Sequence, residues 1–244
     1  MIKKIFYVLV VIVVFIAACK QEKKLEEVKL EGFVFGTTYH ITYLDAVDHQ
    51  KSIDSLFYLV NKSLSTYMPT SDISKINKGD STVVIDDLFL EVFQKSKRIY
   101  KETNGYFDPT VCSLVNAWGF GYKREKRDLD SIQVRELMNQ VGLDKVTLKG
   151  RNIQKKFPEA CLDFNSIAKG YGIDVVGRFL ESKNVENYLV EMGGEIRARG
   201  KNSRNKNWKV AIDDPNDDGT RSVSRFIELS NQSMASSGNY RKFR

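Results

Sequence analysis

Polar residues cluster at the start of one predicted helix, in the segment LDFNSIAKGYGIDVV at residues 162–176. If the helix begins near Asn165, Asp163 and Ser166 flank its N-terminus, where free N–H groups and the helix dipole favour a phosphate. Lys169 follows Ser166 by three residues and projects from the same end of the same face. A metal-held pyrophosphate requires such a mixture of oxygen ligand, cation and open N–H groups. The alternative is an ordinary N-cap at Asp163 and a solvated lysine.

A second segment, TNGYFDPTVCSLVNAWGFG at residues 103–121, also carries more polar residues than a plain core element requires. Asn104-Gly105 is typical of a helix C-terminus and Asp108-Pro109 of a turn. The glycines in the following WGFG stretch allow close approach of a ligand or a backbone. The alternative is a tight loop whose aromatic residues belong to the core.

The common catalytic motifs do not occur in the sequence, which has no P-loop, no GxGxxG after a strand, no HExxH and no CxxC. The two histidines, His40 and His49, are distant along the chain from the other candidates. A Ser-His-Asp triad therefore has little support, and we expect each histidine to lie at the surface or to have a structural partner.

Both segments, taken with others, resemble the FAD:protein FMN transferase family, also called the ApbE family. The resemblance is specific because its motifs recur in order over nearly all of the chain after residue 29. These motifs are VFGTTYHITY, LSTYMPTSDISKIN, TNGYFDPTVCSLVNAWGFG, LDFNSIAKGYGIDVV, YLVEMGGEIRARG, WKVAIDDP and SMASSGNYR.

The resemblance implies an activity: magnesium-dependent transfer of FMN from FAD to a threonine or serine hydroxyl of a target protein, with release of AMP. The implied partners are FAD and acceptor flavoprotein subunits, such as those of sodium-pumping or electron-bifurcating respiratory complexes. Two alternatives stay open. One is a FAD pyrophosphatase that gives free FMN and AMP, and the other is a non-catalytic FAD-binding lipoprotein.

The resemblance also implies which residues form the site. Ser166 is expected to bind Mg²⁺, by its hydroxyl or its backbone carbonyl. The acceptor hydroxyl needs a base, and either Asp163 or a group further along the chain is expected to supply it. The residues implied to contact FAD are Phe35, Tyr67, Tyr106, Phe107, Asp108, Asp163 and Lys169.

Family members usually continue past the SGNYR motif into a histidine-containing segment and a loop that completes the magnesium site. The sequence in hand ends at Arg244. We therefore expect the C-terminal part of the domain to be missing, and the chain as written to be inactive.

Alternating and helical spacings predict the elements that position these residues. Strands are predicted in GFVFGTTYHITYL, with an interruption at Gly36, in a hairpin turning near Gly150, and in ENYLVEM, EIRARG and WKVAIDDP. Helices are predicted over residues 49–64, from Asp86 or Asp87 to Asn104-Gly105, over 130–142 and over 163–182. Because strands and helices do not alternate strictly, the predicted fold class is α+β, with a mixed, largely antiparallel sheet and packed helices.

The N-terminus resembles a bacterial lipoprotein signal peptide. Two lysines precede an apolar run, which leads into Ile16-Ala17-Ala18-Cys19. Residues 1–18 are predicted to be removed and Cys19 to carry the lipid, and the alternative is an uncleaved anchor helix. Either arrangement places a membrane-anchored domain on the periplasmic or extracytoplasmic side. Residues 19–29 are predicted to be a charged tether, and the flavin transferase domain to cover 30–244.

Composition and charge further narrow the classes of function that the sequence allows. The net charge is +7, but basic and acidic residues are interleaved over most of the chain, so a nucleic-acid surface is not expected. Cys112 and Cys161 lie in apolar stretches, TVCSLV and EACLDF. Although the predicted compartment permits disulfides, these surroundings favour two buried free thiols.

Overall fold

The central sheet begins with two strands, β1 (Glu26–Val34) and β2 (Thr37–Asp45), joined by a tight turn at Phe35 and Gly36. In β2 every second side chain, from Tyr39 to Asp45, is buried, while the residues between them are more exposed. This period of two places one face of the strand on the core. The predicted interruption at Gly36 is confirmed.

The structure is a computed structural model that describes residues 25–122, 127–216, 218, 220 and 222–237. Its main sheet is antiparallel, in the order β1-β2-β5-β6-β9, with β5 (Tyr188–Met192), β6 (Glu195–Arg199) and β9 (Gln232–Met234). Two separate ribbons pair β3 (Val146–Lys149) with β4 (Asn152–Lys155) and β7 (Trp208–Asp213) with β8 (Val223–Leu229). The predicted α+β class with a largely antiparallel sheet is confirmed.

Local capping explains where the helices begin and end. The helices are α1 (Gln50–Leu64), α2 (Asp72–Asn77), α3 (Asp87–Glu102), α4 (Cys112–Ala117), α5 (Ser131–Met138) and α6 (Asn165–Ser182). Asp86 accepts a hydrogen bond from the Phe89 N–H at 2.8 Å at the start of α3, and Asn104 and Gly105 have positive φ after its end. Asp130 forms a capping box with Gln133 at the start of α5.

Helix α6 lies between two hydrophobic cores. Tyr171 and Val175 belong to a core shared with α1, α2, α3 and the β3–β4 ribbon. Ile173, Val176 and Leu180 belong to the other core, which packs α6 and α1 against the main sheet. The body of α6, which follows the candidate phosphate-binding residues at its start, is therefore held from both sides.

The main sheet begins earlier in the chain than the sequence predicts. Strand β1 begins at Glu26, so Glu26–Lys29 are part of the sheet and the predicted tether over 19–29 is too long. The charged residues fit this strand because β1 is at the edge of the sheet, where most of its side chains are exposed. The predicted signal peptide and Cys19 lie outside the described residues. Within the part of the chain that is described, no helix is long and apolar enough to cross a membrane.

A disulfide joins Cys112 to Cys161, with their Cα atoms 6.0 Å apart, so the interpretation as two free thiols is wrong. The two cysteines meet because their segments run side by side: the Asp163 N–H donates to the Pro109 carbonyl at 2.7 Å. An apolar setting is common to buried thiols and buried disulfides, so the flanking residues did not distinguish them. The bond ties the start of α4 to the chain just before α6.

Candidate functional site

The segment that leads into α6 contains a buried carboxylate, Asp163, which is 8% exposed. Its Oδ1 accepts the Asn165 N–H at 2.7 Å, and its Oδ2 accepts the Asn165 side-chain amide at 3.1 Å. The same amide lies 3.2 Å from Thr66 Oγ1, next to Tyr67. Asp163 thus fixes Asn165, and Asn165 connects the helix start to the segment that carries Tyr67.

Asp163 precedes the N-cap position, which is Phe164 and has no side-chain cap. The Ser166 N–H finds no acceptor among the described residues. The start of α6 therefore keeps an open backbone donor and the positive end of the helix dipole, as the phosphate-site hypothesis requires.

Burial raises the pKa of Asp163, and the two hydrogen bonds from Asn165 offset this only in part. The folded protein therefore binds a proton at Asp163 more readily than the unfolded chain does. The resulting contribution to stability is present below the ordinary aspartate pKa of about 3.9 and is lost as pH rises through the raised pKa.

Replacing Asp163 by asparagine should remove this pH dependence, because asparagine keeps an oxygen for the Asn165 N–H without a buried charge. Urea unfolding of parent and variant at a series of pH values above about 4 measures the difference. As pH rises, the unfolding free energy of the variant should increase relative to that of the parent. A gap that stays constant with pH would show that the carboxyl is not titrating in this range.

Two cavities meet at the start of α6. The first, which we name the apolar cavity, has a volume of about 680 Å³ and lies between the β1–β2 turn, the end of α1 and α6. Such a volume and lining suit an aromatic ring system. Its apolar and aromatic walls include Phe33, Val34, Phe35, Val60, Leu64, Tyr67 and Met68, and its polar groups are Asn61, Ser65, Asn165 and Lys169.

The second, which we name the charged cavity, has a volume of about 580 Å³ and lies between α6, β6 and the chain around β9. It shares Asn165 and Lys169 with the apolar cavity. Its further polar lining consists of Lys95, Ser166, Asp174, Glu195, Arg197, Ser233, Ser236 and Ser237. A ligand with an aromatic ring and phosphates can therefore place each part in a suitable environment on the two sides of Lys169.

Lys169 is half-buried, and its Nζ lies 2.5 Å from Glu195 Oε2. That oxygen is buried and accepts no hydrogen bond of good geometry from the described residues, so its contact with Lys169 is an ion pair. The alternative of a freely solvated lysine is therefore wrong. The lysine charge is compensated in the absence of ligand, and a phosphate placed here competes with Glu195.

Four of the predicted site residues come together around these cavities: Phe35, Tyr67, Ser166 and Lys169. Sequence reasoning overlooked two that share the same walls, Asn165 and Glu195. Both lie inside motifs that carry the family resemblance, and a polar residue directly after a Gly-Gly turn was the available signal for Glu195.

The strip Tyr106, Phe107 and Asp108 lines neither cavity. Tyr106 is 97% exposed, and Asp108 Oδ1 accepts the N–H and hydroxyl of Thr110 at 2.8 and 2.6 Å. The backbone hydrogen bond from Asp163 to Pro109 nevertheless places the strip next to the segment that leads into α6. Its role in FAD binding stays a prediction.

Both histidines have carboxylate partners, as expected. His40 Nδ1 lies 2.8 Å from Glu191 on the neighbouring strand, and His49 Nε2 lies 2.9 Å from the buried Asp45. Neither lines the apolar or the charged cavity. Both are structural in this arrangement.

The described residues fit a magnesium ion only in part. Across the described ranges, no three His, Cys, Asp or Glu side chains are grouped closely enough to hold a metal. Ser166 is exposed and offers oxygen, whereas both oxygens of Asp163 are engaged by Asn165. This suits an ion that takes most of its ligands from water and substrate phosphates, as Mg²⁺ often does.

An apolar cavity beside a cation at a helix start, on an α+β fold, suits a phosphate-bearing aromatic ligand. A family model described as "ApbE family" matches residues 35–244, and the chain belongs to this family.

Relatives of known name agree with this assignment. A Haemophilus influenzae protein named FAD:protein FMN transferase is 39% identical over 241 residues, covering 93% of this chain and 69% of that protein. The solved structure titled "Flavin Transferase ApbE from Vibrio cholerae" superposes with a TM-score of 0.79 at 35% identity, covering 90% of this chain and 74% of the other. The apo form of the Pseudomonas stutzeri flavinyl transferase ApbE has a TM-score of 0.78 at 27% identity, with coverage of 90% and 73%.

Proposed function

We propose that this protein transfers FMN from FAD to a threonine or serine hydroxyl of an acceptor protein, with release of AMP and dependence on Mg²⁺. The observation that carries the proposal is the meeting of the apolar and charged cavities at Lys169, in a chain 39% identical to a FAD:protein FMN transferase. The acceptors are flavoprotein subunits outside the cytoplasm.

In the proposed reaction the acceptor oxygen forms a bond to the phosphorus of the FMN half, and the bond from that phosphorus to the AMP phosphate breaks. An aromatic ring of FAD lies in the apolar cavity, and the pyrophosphate lies at the start of α6. Lys169 exchanges its contact with Glu195 for the phosphate oxygens, and the open Ser166 N–H donates to them. Most of the catalytic effect comes from positioning and charge compensation.

The hydroxyl proton passes to a base. Asp163 is one candidate, since its raised pKa makes it a stronger base than an ordinary carboxylate. Each of its oxygens accepts one hydrogen bond from Asn165 and keeps a further lone pair. Bound magnesium, held in part by Ser166, supplies compensation of negative charge on the phosphates.

The test is to measure AMP release and flavin incorporation with the full-length gene product, FAD and Mg²⁺, with and without an acceptor subunit. We expect AMP only when acceptor is present, covalent flavin on the acceptor, and loss of both on adding EDTA. AMP and free FMN without acceptor would instead identify a pyrophosphatase. FAD binding with no AMP in either mixture would identify a binding protein.

Tyr67 should contribute to FAD affinity through ring contact in the apolar cavity, worth about 0.5 to 1.5 kcal/mol beyond its burial. Tyr67→Ala should therefore weaken FAD binding by about two- to tenfold, measured by flavin fluorescence titration. Tyr58→Ala is the matched control, because Tyr58 is an exposed tyrosine of α1 that lines neither cavity. Equal affinity for both variants would show that the ring is bound elsewhere.

We also propose that the protein is anchored outside the cytoplasm by a lipid on Cys19. Cys19→Ala should abolish labelling by a radioactive or clickable fatty acid and leave the precursor at its uncleaved mass. Unchanged lipid labelling of the variant would exclude this anchor.

A further inference from the structure

Phe35 has an unusual backbone conformation for an aromatic residue. Among the described residues five non-glycine residues have positive φ: four are asparagines, and the fifth is Phe35 with φ of 51°. Asparagine tolerates the left-handed region, whereas a bulky side chain rarely occupies it. Residues kept in such conformations tend to occur where function requires them.

The Phe35 ring is held against α6 at a point where the helix has no side chain. A Cβ built on Gly172 would lie 2.5 Å from Phe35 Cε2 and 3.1 Å from Cζ. The ring also makes an edge-to-face contact with Phe57 of α1, with centroids 5.8 Å apart. Phe35 therefore lies in direct contact with the Gly172 backbone and forms one wall of the apolar cavity.

We propose that Gly172 is a positioning residue for FAD binding that acts through Phe35. A methyl group at this position forces the ring to move by about 1 Å toward the apolar cavity to restore normal contact distances. That displacement narrows the space for the flavin substrate and strains a turn that is already in the left-handed region. The proposal rests on the proposed function in one respect, that this cavity binds FAD.

The same helix provides a matched control. Gly170 is exposed on the wall of the charged cavity, and a Cβ built on it meets no protein atom within 4 Å. Gly172→Ala and Gly170→Ala gain the same intrinsic helix propensity, so a difference between their unfolding free energies in urea reports the contact with Phe35. In fluorescence titrations we expect Gly172→Ala to weaken FAD affinity by about fivefold or more.

A double-mutant cycle tests the route through Phe35. In a Phe35→Ala background the obstructed ring is absent, so Gly172→Ala should change FAD affinity by less than about twofold. If Gly172→Ala alone does not fold, the double variant should fold as cooperatively in urea as Phe35→Ala does. Equal affinities of parent and Gly172→Ala, or an undiminished effect of Gly172→Ala without the Phe35 ring, would overturn the inference while leaving FAD binding intact. Failure of the parent to bind FAD would overturn the proposed function as well.

Discussion

Replacing Cys112 by serine should lower the free energy of unfolding by about 2 to 4 kcal/mol. The disulfide closes a loop between residues 49 positions apart, and a loop of this length restricts the unfolded chain considerably. The measurement is urea unfolding of parent and variant, each with and without reductant. Reductant should destabilise the parent to the level of the variant and leave the variant unchanged.

Cys161→Ser and the double variant should behave like Cys112→Ser, because any of these changes removes the same bond. Mass spectrometry after alkylation gives an independent check: Cys112 and Cys161 should stay unmodified in the denatured parent until reductant is added. Alkylation of both before reduction would restore the free-thiol interpretation.

Lys169→Ala should reduce turnover at least tenfold at saturating FAD and Mg²⁺, equivalent to about 1.4 kcal/mol in the activation barrier. The variant lacks the cation next to the transferring phosphates, where fixed charge has more effect than at an open surface. It also leaves the buried Glu195 Oε2 without its counter-charge, so stability should fall too.

A second substitution separates these two effects. Adding Glu195→Gln removes the uncompensated charge, so the double variant should recover stability in urea but not turnover. Recovery of turnover together with stability would show that Lys169 has only a structural role. Lys183→Ala, near the end of α6, is the control for losing a lysine from this helix. Its Nζ lies 5.5 Å from the Phe179 ring, so a small stability change is expected and no change in turnover.

Sequence reasoning succeeded where a structural choice depends on residues close along the chain. Three such features are the cap at Asp86, the helix stop at Asn104-Gly105 and the hairpin at Gly150. Each depends on interactions between residues only a few positions apart. The start of α6 belongs to the same class, because Asp163 and Ser166 are neighbours in sequence and their grouping was predictable before the fold was known. Asn165 lies between them and was overlooked, since its contact with Thr66 depends on a distant segment.

Contacts between distant segments were not predictable in this way. Glu195 approaches Lys169 only because β6 packs on α6, and Cys112 reaches Cys161 only because two loops are bonded side by side. The start of β1 was missed for a different reason. Three of the first four residues of this edge strand are charged, which is the composition of a tether.

The location of α6 between two cores has a consequence for hydrogen exchange. Amides from Tyr171 to Leu180 lie in a helix whose buried residues are divided between both cores, so the helix cannot open without disrupting each of them. Their exchange should proceed only through global unfolding, with protection equal to the full stability of the domain. The body of the helix that follows the phosphate-binding start is then already ordered before the substrate arrives, and binding requires little additional ordering of the backbone there.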